Sequence, residues 1–114
     1  MTENIIKNKS FSFALRIVKL YQFLNQEKKE FILSKQLLRS GTAIGALVRE
    51  AEQAESKLDF IHKLAIAQKE ANETDYWLEL LHQSDYLNET QFQSLKNDSI
   101  EINKILASII ITTK

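Results

Sequence analysis

The chain of 114 residues carries fifteen basic and fifteen acidic residues and no cysteine, so disulfide frameworks, thiolate metal sites and cysteine nucleophiles are excluded. This neutral balance is not the one expected of a domain that binds a nucleic-acid duplex. With no proline and only two glycines, the chain lacks the turn residues that hairpins and sandwiches need, and we predict an all-α fold in a single domain over residues 1–114.

The beginning of the chain and its apolar runs bear on its location. The first ten residues, MTENIIKNKS, are too polar for a signal peptide, and the longest apolar run is far shorter than the roughly 20 residues of a membrane span. We therefore expect a cytoplasmic protein with no membrane partner.

The first predicted helix covers about Lys9 to Asn25. Apolar residues recur there at intervals of three and four, which indicates one face of a helix. The predicted buried face consists of Phe11, Ala14, Leu15, Val18, Tyr21 and Leu24. The charged segment that follows loses this spacing, so we predict a connection in which Phe31 and Ile32 pack against the bundle.

Ser34 is the predicted N-cap of the second helix. Its core stripe is predicted at Leu37, Ile44, Leu47 or Val48, and Ala51. Two further helices are predicted after it, and each has its own start signal.

Both glycines of the chain, Gly41 and Gly45, lie inside the second helix, where each costs roughly 1 kcal/mol relative to Ala. The segment lacks the lysine and the preceding strand of a phosphate-binding loop. Together with Ser40 and Ala46, the glycines form a strip of small residues. We predict that another helix packs closely on this strip, within the bundle or between subunits.

A second face of the same helix is basic. It carries Lys35, Arg39 and Arg49. One interpretation is a stripe that contacts the phosphates of RNA or DNA. The other, which we favour, is an ion-pair network with the third helix, in which acids neutralise the stripe. The expected pairs are Arg39 with Glu70 or Glu73, and Arg49 with Asp59.

The third helix is predicted to begin after Ser56, because Ser56 and Asp59 have the spacing of a capping box, and to end near Ser84. Its core positions alternate in steps of four and three, as in a heptad seam. They are Phe60, Leu64, Ala67, Ala71, Thr74, Leu78 and Leu81. Tyr76 and Trp77 add apolar surface outside this seam, and we predict that they anchor an oligomer interface.

The fourth helix is predicted to begin after Asn88, which has Gln91 three residues later as a capping partner. Its predicted core residues are Phe92, Leu95, Ile102, Leu106 and Ile109 or Ile110. Four helices with short connections predict an antiparallel up-and-down four-helix bundle.

Metal binding and catalysis have weak support. Glu79 and His82 have the Glu-x-x-His spacing of di-iron bundles, and Asp59 with His62 is a near match. The two histidines lie on one helix about 30 Å apart by helix rise, so they cannot share a site within one chain. No serine elbow or glycine-rich loop is present. We predict no metal, no cofactor and no enzymatic activity.

Three motifs between Gln36 and Leu81 carry a family resemblance. They are S-G-T-x-I-G-A at 40–46, E-A-E-x-A-E-S-K-x-D-F-I-x-K-L at 50–64 and K-E-x-x-E-T-x-Y-W-L at 69–78. This combination resembles the bacterial four-helix-bundle proteins named for reading frames in intervening sequences of 23S ribosomal RNA genes. The similarity continues more loosely through both terminal helices.

The resemblance implies an antiparallel four-helix bundle that forms a homopentamer and has no established catalytic activity. A related accessory variability determinant of retroelements works with a reverse transcriptase and its RNA, but it is markedly basic, whereas this chain is neutral. We therefore expect a non-enzymatic self-assembling interaction or scaffold protein with an unidentified protein partner. The alternative is an accessory factor that binds RNA or DNA through Lys35, Arg39 and Arg49.

Overall fold

Four α-helices joined by short connections make up the computed structural model, which describes the backbone of residues 2–114 and the side chains of residues 4–114. Met1, the first residue of the predicted domain, lies outside these residues. The helices are α1 (Thr2–Gln26), α2 (Leu33–Glu52), α3 (Lys57–Gln83) and α4 (Glu89–Thr113). No strand is found in residues 2–114.

The helices pack as a closed square. α2 contacts α1 and α3, and α4 contacts α3 and α1, so α1 and α3 occupy opposite corners. The bundle measures 44 × 21 × 19 Å, which matches helices of 20 to 27 residues lying along its long axis. The predicted antiparallel four-helix bundle is confirmed.

α3 and α4 begin where the sequence predicts. The side chain of Ser56 accepts a hydrogen bond from the Asp59 N–H at 3.0 Å. Asn88 and Gln91 form a complete capping box, in which each side chain accepts from the other residue's backbone N–H. These bonds satisfy N–H groups that a helix start otherwise leaves without a partner.

α2 begins differently, and the predicted Ser34 cap is wrong. The helix starts at Leu33, and the carboxylate of Glu30 takes the role of the cap. It accepts from the N–H groups of Ile32, Leu33 and Ser34 at 3.1, 3.0 and 2.7 Å. Ser34 is already inside the helix and is buried. A longer side chain therefore reaches the helix end from further upstream than a serine could.

The predicted burial of Phe31 and Ile32 is also wrong. Phe31 is 54% exposed and Ile32 is 76% exposed. Glu30 turns inward to cap α2 and is only 8% exposed, and the two residues after it face the solvent.

The buried face of α1 is not the predicted one. Phe11, Leu15 and Val18 are exposed, and only Leu24 of the predicted stripe is in the core. The core side of α1 is formed by Ile6, Ser10, Phe13, Ile17, Leu20 and Leu24. Both faces of this helix have apolar residues at helical spacing, so periodicity could not choose between them. The helix also begins earlier than predicted, at Thr2 rather than near Lys9.

The core stripes of the other three helices are confirmed. Leu37, Ile44, Val48 and Ala51 of α2 are buried, as are all predicted positions of α3 and α4 except the half-buried Phe60 and Phe92. Two small polar residues share the centre, where Thr74 Oγ1 lies 3.0 Å from Ser40 Oγ. This bond satisfies hydroxyl groups that would be costly to bury alone.

Candidate interaction surface

The glycines bring α1 and α2 close together. A Cβ atom added at Gly41 would lie 2.8 Å from Cγ1 of Ile17, and one added at Gly45 would lie 3.4 Å from the carbonyl oxygen of Ser10. Both glycines therefore face α1 inside the bundle. Of the predicted strip, Ser40 faces Thr74 of α3 instead, and Ala46 is exposed.

Close packing of α1 on α2 leaves an apolar ridge on the outside of the bundle. We call Phe11, Leu15 and Val18 the α1 ridge; their exposed fractions are 49%, 50% and 36%. A shallow groove runs beside it, between the two helices. It is lined by Phe11, Ala14, Thr42, Gly45, Ala46 and Arg49.

Arg39 is held by two carboxylates of α3. Its Nη2 atom lies 3.1 Å from Glu70 Oε1 and 2.5 Å from Glu73 Oε2. The Trp77 indole donates to the same Glu73 oxygen at 3.0 Å. Hydrogen bonds from Trp77 and Arg39 lower the pKa of the Glu73 carboxyl below its ordinary value. Glu73 therefore stays ionised at neutral pH, and the charge of Arg39 is compensated.

Arg49 does not make its predicted pair with Asp59. Its guanidinium lies over the ring of Phe11, 5.1 Å from the centroid, which is a cation–π distance. Asp59 instead accepts a hydrogen bond from the Glu55 N–H at 3.2 Å, at the start of α3. Packing between α1 and α2 thus places Arg49 against a partner that lies far away in the sequence.

Lys35 is exposed and has no ion pair among the side chains of residues 4–114. The three basic residues of α2 are therefore in different situations. Lys35 is unpaired, Arg39 is neutralised and Arg49 covers an aromatic ring. These three residues therefore do not form a continuous phosphate-binding stripe along α2.

Tyr76 and Trp77 differ in exposure. Trp77 is half-buried and packs against the core, and Tyr76 is 58% exposed. Their rings meet edge to face, with centroids 4.9 Å apart. Tyr76 lies midway between the buried residues Thr74 and Leu78, so it occupies the outer side of α3.

His82 is engaged at the junction of α3 and α4 and not with Glu79. Its Nε2 atom lies 2.9 Å from Glu89 Oε2, and its ring stacks on Phe92 with centroids 4.3 Å apart. Within the part of the chain that the structure describes, no group of three or more His, Asp and Glu residues is placed to hold a metal ion.

The α1 ridge and the exposed pair Phe31–Ile32 are the surface features that sequence reasoning missed. For the ridge, the signal was the presence of two apolar faces on one helix, which a single buried stripe does not require. For Phe31 and Ile32, no local signal was available, because their exposure depends on the inward turn of Glu30.

Comparison with known protein families assigns the chain to one of them. The family model described as 23S rRNA-intervening sequence protein matches residues 2–108. The chain belongs to this family.

A protein of closely similar structure has been crystallised. It is a protein of unknown function from the S23 ribosomal protein family of Bacteroides thetaiotaomicron, 63% identical, with a TM-score of 0.96 over 96% of this chain and 98% of that one. The comparison with curated proteins found no significant match. None of the helices in residues 2–114 combines the length and the apolar character needed to cross a membrane.

Proposed function

We propose that this family member is a non-enzymatic scaffold that assembles with copies of itself through the α1 ridge. The observation that supports this is the exposure of three large apolar side chains along one helix that is already fully packed on its other side. Contiguous exposed apolar surface of this kind is typical of protein interfaces. The family resemblance described above implies a homopentamer, and we adopt that stoichiometry.

The positions of the exposed residues favour a head-to-tail contact between copies. Leu15 lies midway between the buried residues Phe13 and Ile17, on the outer side of α1, as Tyr76 does on α3. Since α1 and α3 occupy opposite corners of the bundle, these two surfaces face away from each other. Contacts between two different surfaces generate a closed ring when the rotation from copy to copy closes and an open filament when it does not, whereas a symmetric dimer uses one surface twice. We propose that the α1 ridge of one copy meets the Tyr76 side of the next.

Native mass spectrometry of gently purified protein tests this assembly. We expect a pentamer for the natural sequence and a shift to monomers for both Leu15→Glu and Tyr76→Glu, because each places a charge in the apolar contact. Ile111→Glu is the matched control, since Ile111 is 69% exposed at the far end of α4 and lies outside both surfaces. Its variant should remain pentameric.

Two results obtained without nuclease treatment would overturn the proposal. One is a monomeric natural protein at micromolar concentration, and the other is an assembly that neither substitution weakens. Retained RNA or DNA would be visible as added mass in the same spectra. If nuclease treatment removed both this added mass and the pentamer, nucleic acid, and not the α1 ridge, would hold the copies together.

A further inference from the structure

The connection between α1 and α2 is held in one conformation by buried hydrogen bonds. The Glu30 carboxylate caps α2, the Glu30 N–H donates to the Leu24 carbonyl at 2.9 Å, and the Ser34 hydroxyl lies 2.9 Å from the Glu30 carbonyl. Lys29 adopts a positive φ of 55° to make the turn. These bonds fix the backbone from which the exposed side chains of the connection project.

The exposed side chains of this connection are apolar and basic. Phe31 and Ile32 face the solvent. Lys28, Lys29 and Lys35 surround them in sequence, are exposed, and have no ion pair among the side chains of residues 4–114.

The two acidic residues of the connection itself do not cancel this positive charge. Glu30 is buried, and its carboxylate is occupied by three backbone N–H groups. Glu27 is the acidic residue of the connection that remains exposed. Three lysines without an ion pair in residues 4–114 therefore face one free carboxylate, in a chain whose total charge is zero. One of them, Lys28, lies over the Phe23 ring, with its Nζ atom 5.9 Å from the centroid. This makes the connection a local basic site with an exposed aromatic ring.

We propose that the α1–α2 connection binds single-stranded nucleic acid. Phe31 stacks on an unpaired base, and Lys28, Lys29 and Lys35 contact the flanking phosphates. Exposed aromatic rings beside lysines are the common features of single-strand binding sites, because every base has a face that stacks. A duplex offers no unpaired base to Phe31, so single strands are preferred.

Other occupants fit the connection less well. A stable protein interface uses about 20–30 residues a side, far more than this site provides. Stable attachment to a membrane takes two signals of the strength of a lipid chain, and the side chains of Phe31 and Ile32 bury much less apolar surface than one such chain. The inference does not depend on self-assembly, although several copies in one particle would strengthen binding by multivalency.

Fluorescence anisotropy with a labelled oligouridylate of about 16 nucleotides tests the site. We expect Phe31→Leu to weaken binding by roughly tenfold, the effect of losing one stacked base. Lys28→Gln combined with Lys29→Gln should weaken it further and make it less dependent on salt, by about 0.7 in the log–log slope for each lost contact. Lys69→Gln with Lys104→Gln is the control, since both lysines are exposed on other helices and have no ion pair among the side chains of residues 4–114. Its affinity and salt slope should match those of the natural protein.

Ile32→Ala separates stacking from general apolar docking. Ile32 is the more exposed of the two residues, so an apolar partner would depend on it at least as much as on Phe31. We expect Ile32→Ala to retain nearly full affinity. Each variant is also checked by native mass spectrometry, so that loss of binding is not confused with loss of assembly.

The proposal is overturned by any of three results. The first is no binding of the natural protein to the oligouridylate at low salt. The second is equal loss of affinity for Phe31→Leu and Ile32→Ala. The third is that the protein binds phosphatidylglycerol vesicles but not oligouridylate, and that both substitutions abolish the vesicle binding. This result would assign the site to a membrane surface.

Discussion

Gly41 and Gly45 differ in the room that the structure leaves for a methyl group. At Gly41 a Cβ would lie 2.8 Å from Ile17, which is fully buried and cannot move away easily. Overpacking of this kind costs about 1–3 kcal/mol, which exceeds or equals the gain of roughly 1 kcal/mol from replacing a helical glycine by Ala. At Gly45 the nearest atom is at 3.4 Å, an ordinary contact. We expect Gly41→Ala to lower the free energy of unfolding by up to about 2 kcal/mol and Gly45→Ala to leave it unchanged or raise it, as measured by urea denaturation.

A double-mutant cycle with Ile17→Ala identifies the cause. If the Gly41 methyl group collides with Ile17, truncating Ile17 will cost less in the Gly41→Ala background than in the natural sequence. Equal stability of Gly41→Ala and Gly45→Ala would mean that α1 can shift to make room, and that the spacing of α1 and α2 is not set at Gly41.

At the scale of a single helix, the start of α2 depends on one carboxylate. Burial alone would raise the pKa of Glu30, but the hydrogen bonds from the N–H groups of Leu33, Ser34 and Ile32 outweigh it, so the pKa is lowered from its ordinary value of 4.5. Because the folded pKa lies below the unfolded one, the stabilisation is fully present above about pH 4.5. It is lost as the pH falls through the folded value.

Glu30→Gln should therefore destabilise the protein at pH 7 by about 1–2 kcal/mol, the usual cost of losing a cap. The substitution replaces one carboxylate oxygen with an NH₂ group. This donor then faces backbone N–H groups whose hydrogen bonds the carboxylate accepts. The difference from the natural protein should shrink as the pH falls below 4.5, because the Glu30 carboxyl then becomes protonated. Thermal unfolding followed by circular dichroism from pH 7 to pH 3 measures this. Glu27→Gln serves as the control, and a difference that stays constant with pH would contradict the role of the charge.

The helices also show where sequence reasoning succeeds. Ser56 and Asn88 cap α3 and α4 through partners three residues away, so their signals are local and the predicted starts were correct. The start of α2 was missed because Glu30 is four residues from Ser34 and has no standard capping pattern. The buried side of α1 was missed for a different reason. It is selected by Gly41 and Gly45 of another helix, which accept Ile17 and Ser10, and no pattern within α1 contains that information.

The same distinction applies to the candidate surfaces. The pairing of Arg39 with Glu70 and Glu73 depends only on the register of an antiparallel hairpin, and the sequence was enough to propose it. Arg49 was assigned to Asp59 by the same register, but the structure places it on Phe11 of α1. The exposure of Phe11 itself depends on how α1 is rotated in the bundle. Surfaces that involve α1 therefore required the structure.

At the scale of the whole molecule, self-assembly links stability to concentration. If only folded copies assemble, the midpoint of thermal unfolding must rise with protein concentration. A tenfold increase should add on the order of 1 kcal/mol per copy, or roughly 4 °C for a domain of this size. Differential scanning calorimetry at two concentrations measures the shift. Leu15→Glu should unfold at a lower temperature that does not change with concentration, and Ile111→Glu should behave as the natural protein does. The natural protein could instead show a midpoint that does not change with concentration while its mass spectra show a pentamer. The assembly would then survive unfolding of its subunits, and the α1 ridge would not be the contact that holds it.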